Sequence, residues 1–321
     1  MPRPPFEQDI IAVIWDFDKT LIPGYMQEPL FKKYGVDAAR FWEEVNRLED
    51  YYAKQGVIIN KDTIYLNHIL TYVKEGIFQG LNNKILEELG AELTFYPGLP
   101  EFFNDIKEQI ENNERFKKFD IRLEHYVVST GLAAMIRGSK IYKYISGLWG
   151  CEFIESPAKP GFTVGGGEQP PVQGERVITQ IGYALDNTSK TRALFEINKG
   201  VNKYPDIDVN SSMREQDRRV PFSNMIYVAD GPSDVPSFSI INKYGGRTYA
   251  VYPARDIRAL RQVDSLRKDG RIHMYGEADY REGSQTYMWL VEHASQIAES
   301  IARRKEEAIR ESVSKPPGHL M

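Results

Sequence analysis

Several features that would identify whole classes of protein are missing from this sequence of 321 residues. It has one cysteine, Cys151, so no disulfide framework can form within the chain, and this usage is typical of a reducing compartment. Its apolar runs are much shorter than the roughly 18 residues that a membrane span requires, and its start, MPRPPFEQD, lacks the basic and apolar regions of a signal peptide. We therefore expect no membrane partner and a cytoplasmic location.

An excess of positive charge is missing as well. The chain has 41 lysines and arginines against 45 aspartates and glutamates, which gives a formal net charge of -4. This balance offers no basic surface field for nucleic acid, so we expect no nucleic-acid partner. The hydrophobic share of 41% and the charged share of 27% are ordinary for a globular protein, and the length allows one large domain or two smaller ones.

One stretch, Ile10 to Leu21, combines an apolar run with closely spaced acids. Its first six residues, IIAVIW, predict a strand buried on both faces, and Asp16-Phe17-Asp18-Lys19-Thr20 follows at once. Asp16 and Asp18 are two residues apart, so their carboxylates leave an extended chain on the same side. A divalent cation on one acid or a proton on the other relieves their repulsion, and both states are useful for transferring a phosphoryl group.

The same D-x-D-x-T string could also open a calcium loop of the EF-hand kind. Such a loop has Asp or Asn at its fifth place, glycine at the sixth and glutamate at the twelfth. Counted from Asp16, this chain has Thr20, Leu21 and Gln27 there, so the calcium-loop alternative fails at all three places.

The region from residue 25 to residue 95 is predicted to be helical. Apolar residues recur there at helical spacing, and the region lies between two breaks, Pro23-Gly24 and Tyr96-Pro97-Gly98. These apolar stripes comprise Phe41, Val45, Leu48 and Tyr52, and then Leu66, Ile69, Leu70 and Val73. We predict a helical cap domain of residues 24–96, able to move as a lid, inserted into a core domain of residues 1–23 and 97–321.

The rest of the chain alternates between strand-like and helical patterns. Further strands are predicted at residues 125–128, 225–228 and 248–252, and helices at 101–113, from about 132, at 187–199 and from 284. This alternation predicts an α/β fold, a Rossmann-like, mostly parallel sheet with helices on both faces. Ligands bind such sheets at the carboxyl ends of the strands, where the acidic and serine motifs of this chain lie.

Two stretches interrupt this pattern. Residues 156–175 are rich in glycine and proline and predict a surface loop, whose return strand would be Val177 to Tyr183. The triple glycine at 165–167 lacks the G-x-G-x-x-G spacing of a dinucleotide site and is typical of a flexible linker. A polar insertion at 201–220 has no role that the sequence identifies.

Four motifs stand in one order along the chain and together resemble a known family. They are Asp16-x-Asp18-x-Thr20, the strand-terminal Ser129, Lys190 at a helix start, and Asp230-x-x-x-Asp234. In order and context they resemble the haloacid dehalogenase superfamily, specifically its phosphoserine-phosphatase-like branch, whose helical cap follows the first motif. The residue before Asp230 is usually glycine in that family and is Ala229 here.

The resemblance implies roles for these residues. Asp16 would attack phosphorus and form an aspartyl-phosphate, and Asp18 would protonate the leaving oxygen and later deprotonate the attacking water. Phosphate would be bound by Thr20, Ser129, Thr130, Gly131 and Lys190. Mg²⁺ would be held by the Asp16 carboxylate, the Asp18 backbone carbonyl and Asp230, with Asp234 as a further ligand or as an acceptor behind the ligands.

The resemblance implies hydrolysis of a small phosphorylated metabolite, since a closing lid excludes bulky substrates. A dehalogenase would lack the second acid, and a P-type pump would need membrane helices. A phosphomutase, or a catalytically silent phospho-ligand-binding module on the same fold, stays open as the alternative. Tyr25, Gln27 and Glu28, just after the first break, are candidates to contact the leaving group. The oligomeric state cannot be predicted from the sequence.

Overall fold

The computed structural model describes residues 6–163 and 176–314, which form seven strands and eleven α-helices. The strands are β1 (Ile10–Trp15), β2 (Arg122–Leu132), β3 (Ile145–Ile154), β4 (Gln180–Tyr183), β5 (Met225–Ala229), β6 (Arg247–Tyr252) and β7 (Met274–Glu277). The first six helices are α1 (Glu28–Tyr34), α2 (Ala38–Ala53), α3 (Ile64–Lys74), α4 (Asn83–Gly90), α5 (Glu101–Glu111) and α6 (Glu114–Lys117). The others are α7 (Ala133–Gly138), α8 (Lys190–Lys199), α9 (Val235–Lys243), α10 (Ile257–Lys268) and α11 (Gln285–Ser314).

The seven strands form one sheet in the order β4-β3-β2-β1-β5-β6-β7. Every neighbouring pair is parallel except β3 and β4, so the predicted mostly parallel α/β sheet is confirmed. β1 lies in the middle, where Trp15 pairs with Val127 of β2 and with Val228 of β5. The residues that follow these three positions therefore reach the same edge of the sheet.

Helices cover both faces of the sheet. All six residues of β1 are buried, which requires cover on the two sides to which alternate side chains point. One group of helices, α5, α6 and α11, packs together, and Trp15 of β1 contacts Phe103 of α5 with ring centroids 5.4 Å apart. A second group, α8 and α9, packs together and contacts β2, β5 and β6.

Residues 24–96, which we call the helical segment, contain α1 to α4 and no strand. Its last helix packs closely on the core helix α7, at two glycines. A Cβ at Gly90 would lie 2.0 Å from the Met135 carbonyl oxygen, and one at Gly138 would lie 1.7 Å from that of Glu87. Only glycine fits these backbone contacts, so α4 is fixed to the core. The domain boundaries at 24 and 96 stay a prediction.

The structure differs from the sequence prediction in several elements. β2 extends to Leu132, so Ser129, Thr130 and Gly131 lie in its irregular last part rather than after it. The return strand β4 begins at Gln180 rather than at Val177. α10 and β7 were not predicted because their sequences are polar or short, and α10 buries Val263 and Leu266 alone.

The two interrupting stretches are described in part. Residues 164–175, with the triple glycine, lie outside the described residues, and residues 155–163 form no regular element. The insertion at 201–220 consists of turns and a short 3-10 helix, Glu215–Asp217, and Lys199 ties it down through the carbonyls of Val209 and Ser211. Among the described helices, none combines the length and the apolar composition needed to cross a membrane.

Candidate active site

Asp16 follows β1 directly and is fixed from three sides. Its backbone N–H donates to the Val228 carbonyl at 2.9 Å, which continues the sheet past the end of β1. The Lys190 ammonium donates to Asp16 Oδ1 at 2.7 Å, and the Thr20 hydroxyl donates to Oδ2 at 3.3 Å. Burial raises the pKa of Asp16 to about 6, against the effect of Lys190, and the nearby Asp234 adds to the rise.

Asp18 is held by the start of the helical segment. Its Oδ1 accepts a hydrogen bond from the Met26 backbone N–H at 2.9 Å. Burial and the neighbouring Asp16 carboxylate raise the pKa of Asp18 well above its ordinary value. A carboxyl group in this environment carries a proton more readily than an exposed one does.

The end of β2 brings the Ser129 hydroxyl, 1% exposed, to the same edge. Ser129 Oγ accepts from the Gly131 N–H at 3.0 Å, and the Thr130 carbonyl accepts from the Tyr65 hydroxyl at 2.7 Å. The hydroxyl of Ser129 donates to no group that the structure describes, so its proton can be offered to a ligand. The Gly131 amide is engaged within the loop, which the sequence prediction did not anticipate.

Lys190 is a buried cation between two carboxylates. It begins α8, is 1% exposed, and donates to Asp16 Oδ1 at 2.7 Å and to Asp234 Oδ1 at 2.8 Å. Burial alone would lower the pKa of Lys190, but the charges of Asp16 and Asp234 keep it well above its ordinary value. An ammonium group has three N–H donors, so one is left for a ligand.

Asp234 has both carboxylate oxygens occupied. Oδ1 accepts from Tyr227 at 2.6 Å in addition to Lys190, and Oδ2 accepts from the Ser233 hydroxyl at 2.9 Å. The fully buried Tyr227 was missed by sequence reasoning, because in the apolar run MIYVA its ring predicts a core residue. Asp234 is therefore suited to orient Lys190, and less suited to direct binding of a metal ion.

Asp230 completes an acidic cluster. Carboxylate oxygens of Asp16, Asp230 and Asp234 lie within 4.8 Å of one another. Asp230 accepts no hydrogen bond from any residue that the structure describes, and burial, with Asp16 and Asp234 nearby, raises its pKa to about 7. When ionised, the three carboxylates carry more negative charge than one lysine neutralises. Their oxygens are hard ligands. That donor set fits a divalent cation such as Mg²⁺.

The three candidate leaving-group residues lie in different surroundings. The Tyr25 side chain is 42% exposed, and its hydroxyl accepts from Lys19 Nζ at 2.8 Å. Gln27 is 2% exposed, and its Oε1 has no hydrogen-bond partner among the described residues. Glu28 is exposed and borders a groove of about 520 Å³ with Pro23 and Gly24 of the first break and with residues 92–94.

Thr20 is fully buried and is positioned by a contact with a distant part of the chain. The Tyr280 hydroxyl donates to the Thr20 carbonyl at 2.6 Å. Tyr280 lies just before α11, 260 residues along the chain, and no local pattern in the sequence links it to the first motif. The structure thus brings Thr20 and Lys190 together with Asp16 and the acidic cluster, and the pairing of β1 with β2 places Ser129 at the same edge.

Comparisons with known proteins give one close relative in sequence and several similar structures. No family model matches the sequence. An uncharacterized protein of Borreliella burgdorferi is 40% identical over 289 residues, which cover 89% of this chain and 96% of that protein.

The similar structures have low sequence identity. A probable phosphoserine phosphatase of Vibrio cholerae has a TM-score of 0.49 at 13% identity, covering 92% of this chain and 68% of that one. A HAD family hydrolase of Salmonella enterica serovar Typhi has a TM-score of 0.48 at 13% identity, covering 85% and 69%. The chain belongs to one family with the Borreliella burgdorferi protein.

Proposed function

We propose that this protein is a magnesium-dependent phosphatase that hydrolyses a small phosphate monoester through an aspartyl-phosphate on Asp16. The observation that carries the proposal is the buried cluster in which Lys190 bridges Asp16 and Asp234 while the Asp230 carboxylate stays unbonded. A structural ion pair would balance its charges, whereas this cluster leaves an excess of negative charge beside a nucleophile.

Asp16 and Asp18 divide the chemistry between them. Lys190 keeps Asp16 anionic and fixes its direction, so Asp16 can attack phosphorus. Asp18, whose pKa is raised, begins protonated and gives its proton to the departing ester oxygen. Once the alcohol has left, Asp18 is an anion, and it takes a proton from the water that attacks the aspartyl-phosphate. Inorganic phosphate leaves and both acids return to their starting states.

Asp16, Asp230 and the backbone carbonyl of Asp18 would hold Mg²⁺, with Asp234 behind them as the partner of Lys190. The ion, when bound, masks the repulsion between the acids and an anionic phosphate. It would also favour the ionised form of Asp230, whose pKa of about 7 otherwise leaves it partly protonated near neutral pH.

Neutral and cationic donors would bind the phosphoryl oxygens. The Ser129 hydroxyl has a free proton, and Lys190 has one N–H that is not used by the acids. Thr20 and the amides of Thr130 and Gly131 are the remaining candidates. The Gly131 amide has to leave Ser129 Oγ to reach a ligand, so we expect this loop to rearrange when phosphate binds.

The helical segment would act as the cap that we predict for residues 24–96. It contacts both catalytic loops, through Met26 with Asp18 and through Tyr65 with Thr130. A cap in this position excludes water during the first step and excludes bulky substrates. We therefore propose a small phosphorylated metabolite as the substrate. We place the reaction in the cytoplasm, in agreement with the buried free thiol of Cys151.

The test is release of inorganic phosphate from a panel of small phosphate monoesters, with and without Mg²⁺. We compare the wild type with Asp16→Asn and with Asp120→Asn, a matched control whose acid lies on the surface beside Arg122. We expect magnesium-dependent turnover that Asp16→Asn abolishes and that Asp120→Asn leaves unchanged. No turnover by folded, magnesium-binding protein would contradict the proposal and would favour a phosphomutase or a silent binding module.

A further inference from the structure

The position of Asp16 fixes the direction in which a leaving group must point. In phosphoryl transfer the attacking and leaving oxygens lie roughly in line with phosphorus. Asp16 stands at the tip of β1, so the leaving group of a bound ester would extend away from the sheet edge. The helical segment contacts the loops at that edge, and this inference about its surface rests on the proposed function.

Three aromatic residues of the helical segment form what we call the aromatic wall: Tyr25, Trp42 and Tyr65. The ring centroids of Tyr25 and Trp42 are 5.3 Å apart, and those of Trp42 and Tyr65 are 5.8 Å apart. The three residues come from separate parts of the segment, namely the chain before α1, α2 and α3. They nevertheless form one continuous set of ring contacts.

The aromatic wall is anchored at both ends to the catalytic loops. At one end Lys19, which follows Asp18, donates to the Tyr25 hydroxyl at 2.8 Å. At the other end the Tyr65 hydroxyl donates at 2.7 Å to the carbonyl of Thr130, which follows Ser129. A substrate whose phosphate lies between Asp16 and Ser129 would therefore have the wall beside its leaving group.

The wall also offers one unused hydrogen-bond donor. The indole Nε1 of Trp42 is buried and has no acceptor among the described residues. Leaving a buried polar group without a partner is unfavourable, so such groups usually have one, and a ligand atom is a natural candidate. A ligand that packs on the rings and presents an oxygen or nitrogen acceptor would satisfy it.

One charge beside the wall is that of Lys19, whose ammonium lies 4.2 Å from the ring centroid of Tyr25 and forms no ion pair with any acid that the structure describes. The carboxylates of Asp18 and Asp230 act on Lys19 from a longer distance, so charge beside the wall selects neither a cationic nor an anionic leaving group. Several charged side chains of the helical segment pair with one another at the surface, for example Arg40 with Glu44 and Lys61 with Glu49.

We propose that the substrate's leaving group carries a ring with an apolar face that packs on the aromatic wall and accepts a hydrogen bond from Trp42 Nε1. Rings with such a face occur in sugars, nucleosides and aryl groups, and those of sugars and nucleosides also carry acceptor atoms. Aromatic side chains bind such faces, and a few placed polar groups orient them. An amino alcohol or amino acid without a ring would bind weakly.

The experiment measures ligand binding to Asp16→Asn by calorimetry in the presence of Mg²⁺, so that it does not depend on turnover. Glucose 6-phosphate, adenosine monophosphate and phenyl phosphate represent the three ring sources, and phosphoserine and glycerol 3-phosphate lack rings. We expect at least one ring ester to bind about tenfold more tightly than both esters without rings. The ester with the highest affinity identifies the ring source.

The same measurement is repeated with Trp42→Leu and with Tyr51→Leu, each added to Asp16→Asn. Tyr51 is a matched control because it is on the same helix as Trp42 and is 60% exposed. We expect Trp42→Leu to lower the affinity for the preferred ring ester about tenfold and the affinity for the esters without rings by less than about twofold. Tyr51→Leu should change neither affinity. If Trp42→Leu does not fold, Tyr25→Leu replaces it, since Tyr25 is 42% exposed and its loss disturbs the core less.

Failure of this proposal can be told apart from failure of the proposed function. Equal or tighter binding of the esters without rings, or an equal loss of all esters in Trp42→Leu, would overturn the role of the wall even if the wild type releases phosphate. Ring-selective binding that depends on Trp42, in a protein that releases no phosphate from any ester, would support the role of the aromatic wall in ligand binding. It would contradict the proposed phosphatase function.

Discussion

The two ends of the same sheet treat buried charge differently. At the amino end of β2, Glu124 accepts two hydrogen bonds from Arg219, at 2.6 and 2.7 Å, and a further short one from the Tyr126 hydroxyl. Although burial opposes it, Arg219 holds the pKa of Glu124 below its ordinary value. One acid meets one base there, and the charges balance.

At the carboxyl ends of the parallel strands the acidic and basic charges do not balance. Asp16, Asp230 and Asp234 lie together with one lysine, and burial raises the pKa values of Asp16 and Asp230 to about 6 and about 7. A protein gains no stability from crowding acids that are only partly paired. The balanced end is a structural ion pair, whereas the unbalanced end has an excess of carboxylates, the donor set that fits a divalent cation.

Removal of Lys190 should have the largest effect. Lys190→Met leaves the acids without their cation, so we expect kcat for phosphate release to fall at least about 100-fold and the free energy of unfolding to fall by about 3 kcal/mol. Lys84→Met is the control, because the Lys84 side chain is 84% exposed. A kcat of Lys190→Met within about threefold of the wild type would show that the reaction does not need the Lys190 ammonium.

Removal of one partner at the balanced end should affect stability alone. We expect Glu124→Gln to lower the free energy of unfolding by about 3 kcal/mol, since it leaves Arg219 without its charged partner. The measurement is urea unfolding, with kcat determined in parallel. Adding Arg219→Met should recover part of the loss. A large drop in kcat in folded Glu124→Gln would remove the distinction between the two ends.

Removal of one acid at the unbalanced end should stabilise the metal-free protein. The pKa of Asp230 is raised to about 7 by folding, so between about pH 4 and pH 7 the folded state binds more protons than the unfolded state. Its contribution to stability is thus favourable in acid and is lost as the pH rises through that window. We expect Asp230→Asn to be more stable than the wild type by about 2 kcal/mol at about pH 8, with little difference at about pH 4.

That prediction is checked by urea unfolding of both proteins at several pH values in the presence of a chelator. A stability difference independent of pH, or a less stable Asp230→Asn at the alkaline end, would mean that the crowded acids cost the fold nothing.

The smallest effect concerns a buried group in the middle of the sheet. His125 accepts from Trp15 Nε1 at 3.2 Å and contacts the Phe103 carbonyl at 3.0 Å through Nε2, and burial lowers its pKa to about 3. The unfolded state therefore binds more protons between about pH 3 and pH 6.5, and stability falls as the pH falls through this window. We expect a loss of about 1 to 2 kcal/mol from pH 7 to pH 5, which His125→Asn removes. An unchanged slope in that variant would assign the loss to other groups.

Much of the fold follows from local sequence patterns. The buried strand before Asp16, the helix that opens at Lys190 and the strand before Asp230 were predicted, because apolar runs and helix signals are local. α10 and β7 were missed because α10 is rich in charged residues and buries only Val263 and Leu266, and β7 has only four residues.

The candidate site was predictable to a different extent. That Asp16, Ser129 and Asp230 reach one edge follows from parallel strands whose ends share that edge. Lys190 begins a helix rather than following a parallel strand, so only the family resemblance predicted its place beside Asp16. The hydrogen bond from Tyr227 to Asp234 and the contact of Tyr280 with Thr20 could not be predicted, because in sequence both phenols are indistinguishable from core aromatic residues. The roles assigned to the site residues are predictions for the experiments above.

The central claim is that the excess of acids at the carboxyl end holds a divalent cation. Calorimetric titration of Mg²⁺ into the wild type, Asp230→Asn and Glu124→Gln at one near-neutral pH tests it most directly. We predict one binding event per chain in the wild type, unchanged in Glu124→Gln and weakened at least about tenfold in Asp230→Asn. Absence of binding to the wild type, or equal affinity in Asp230→Asn, would contradict the account.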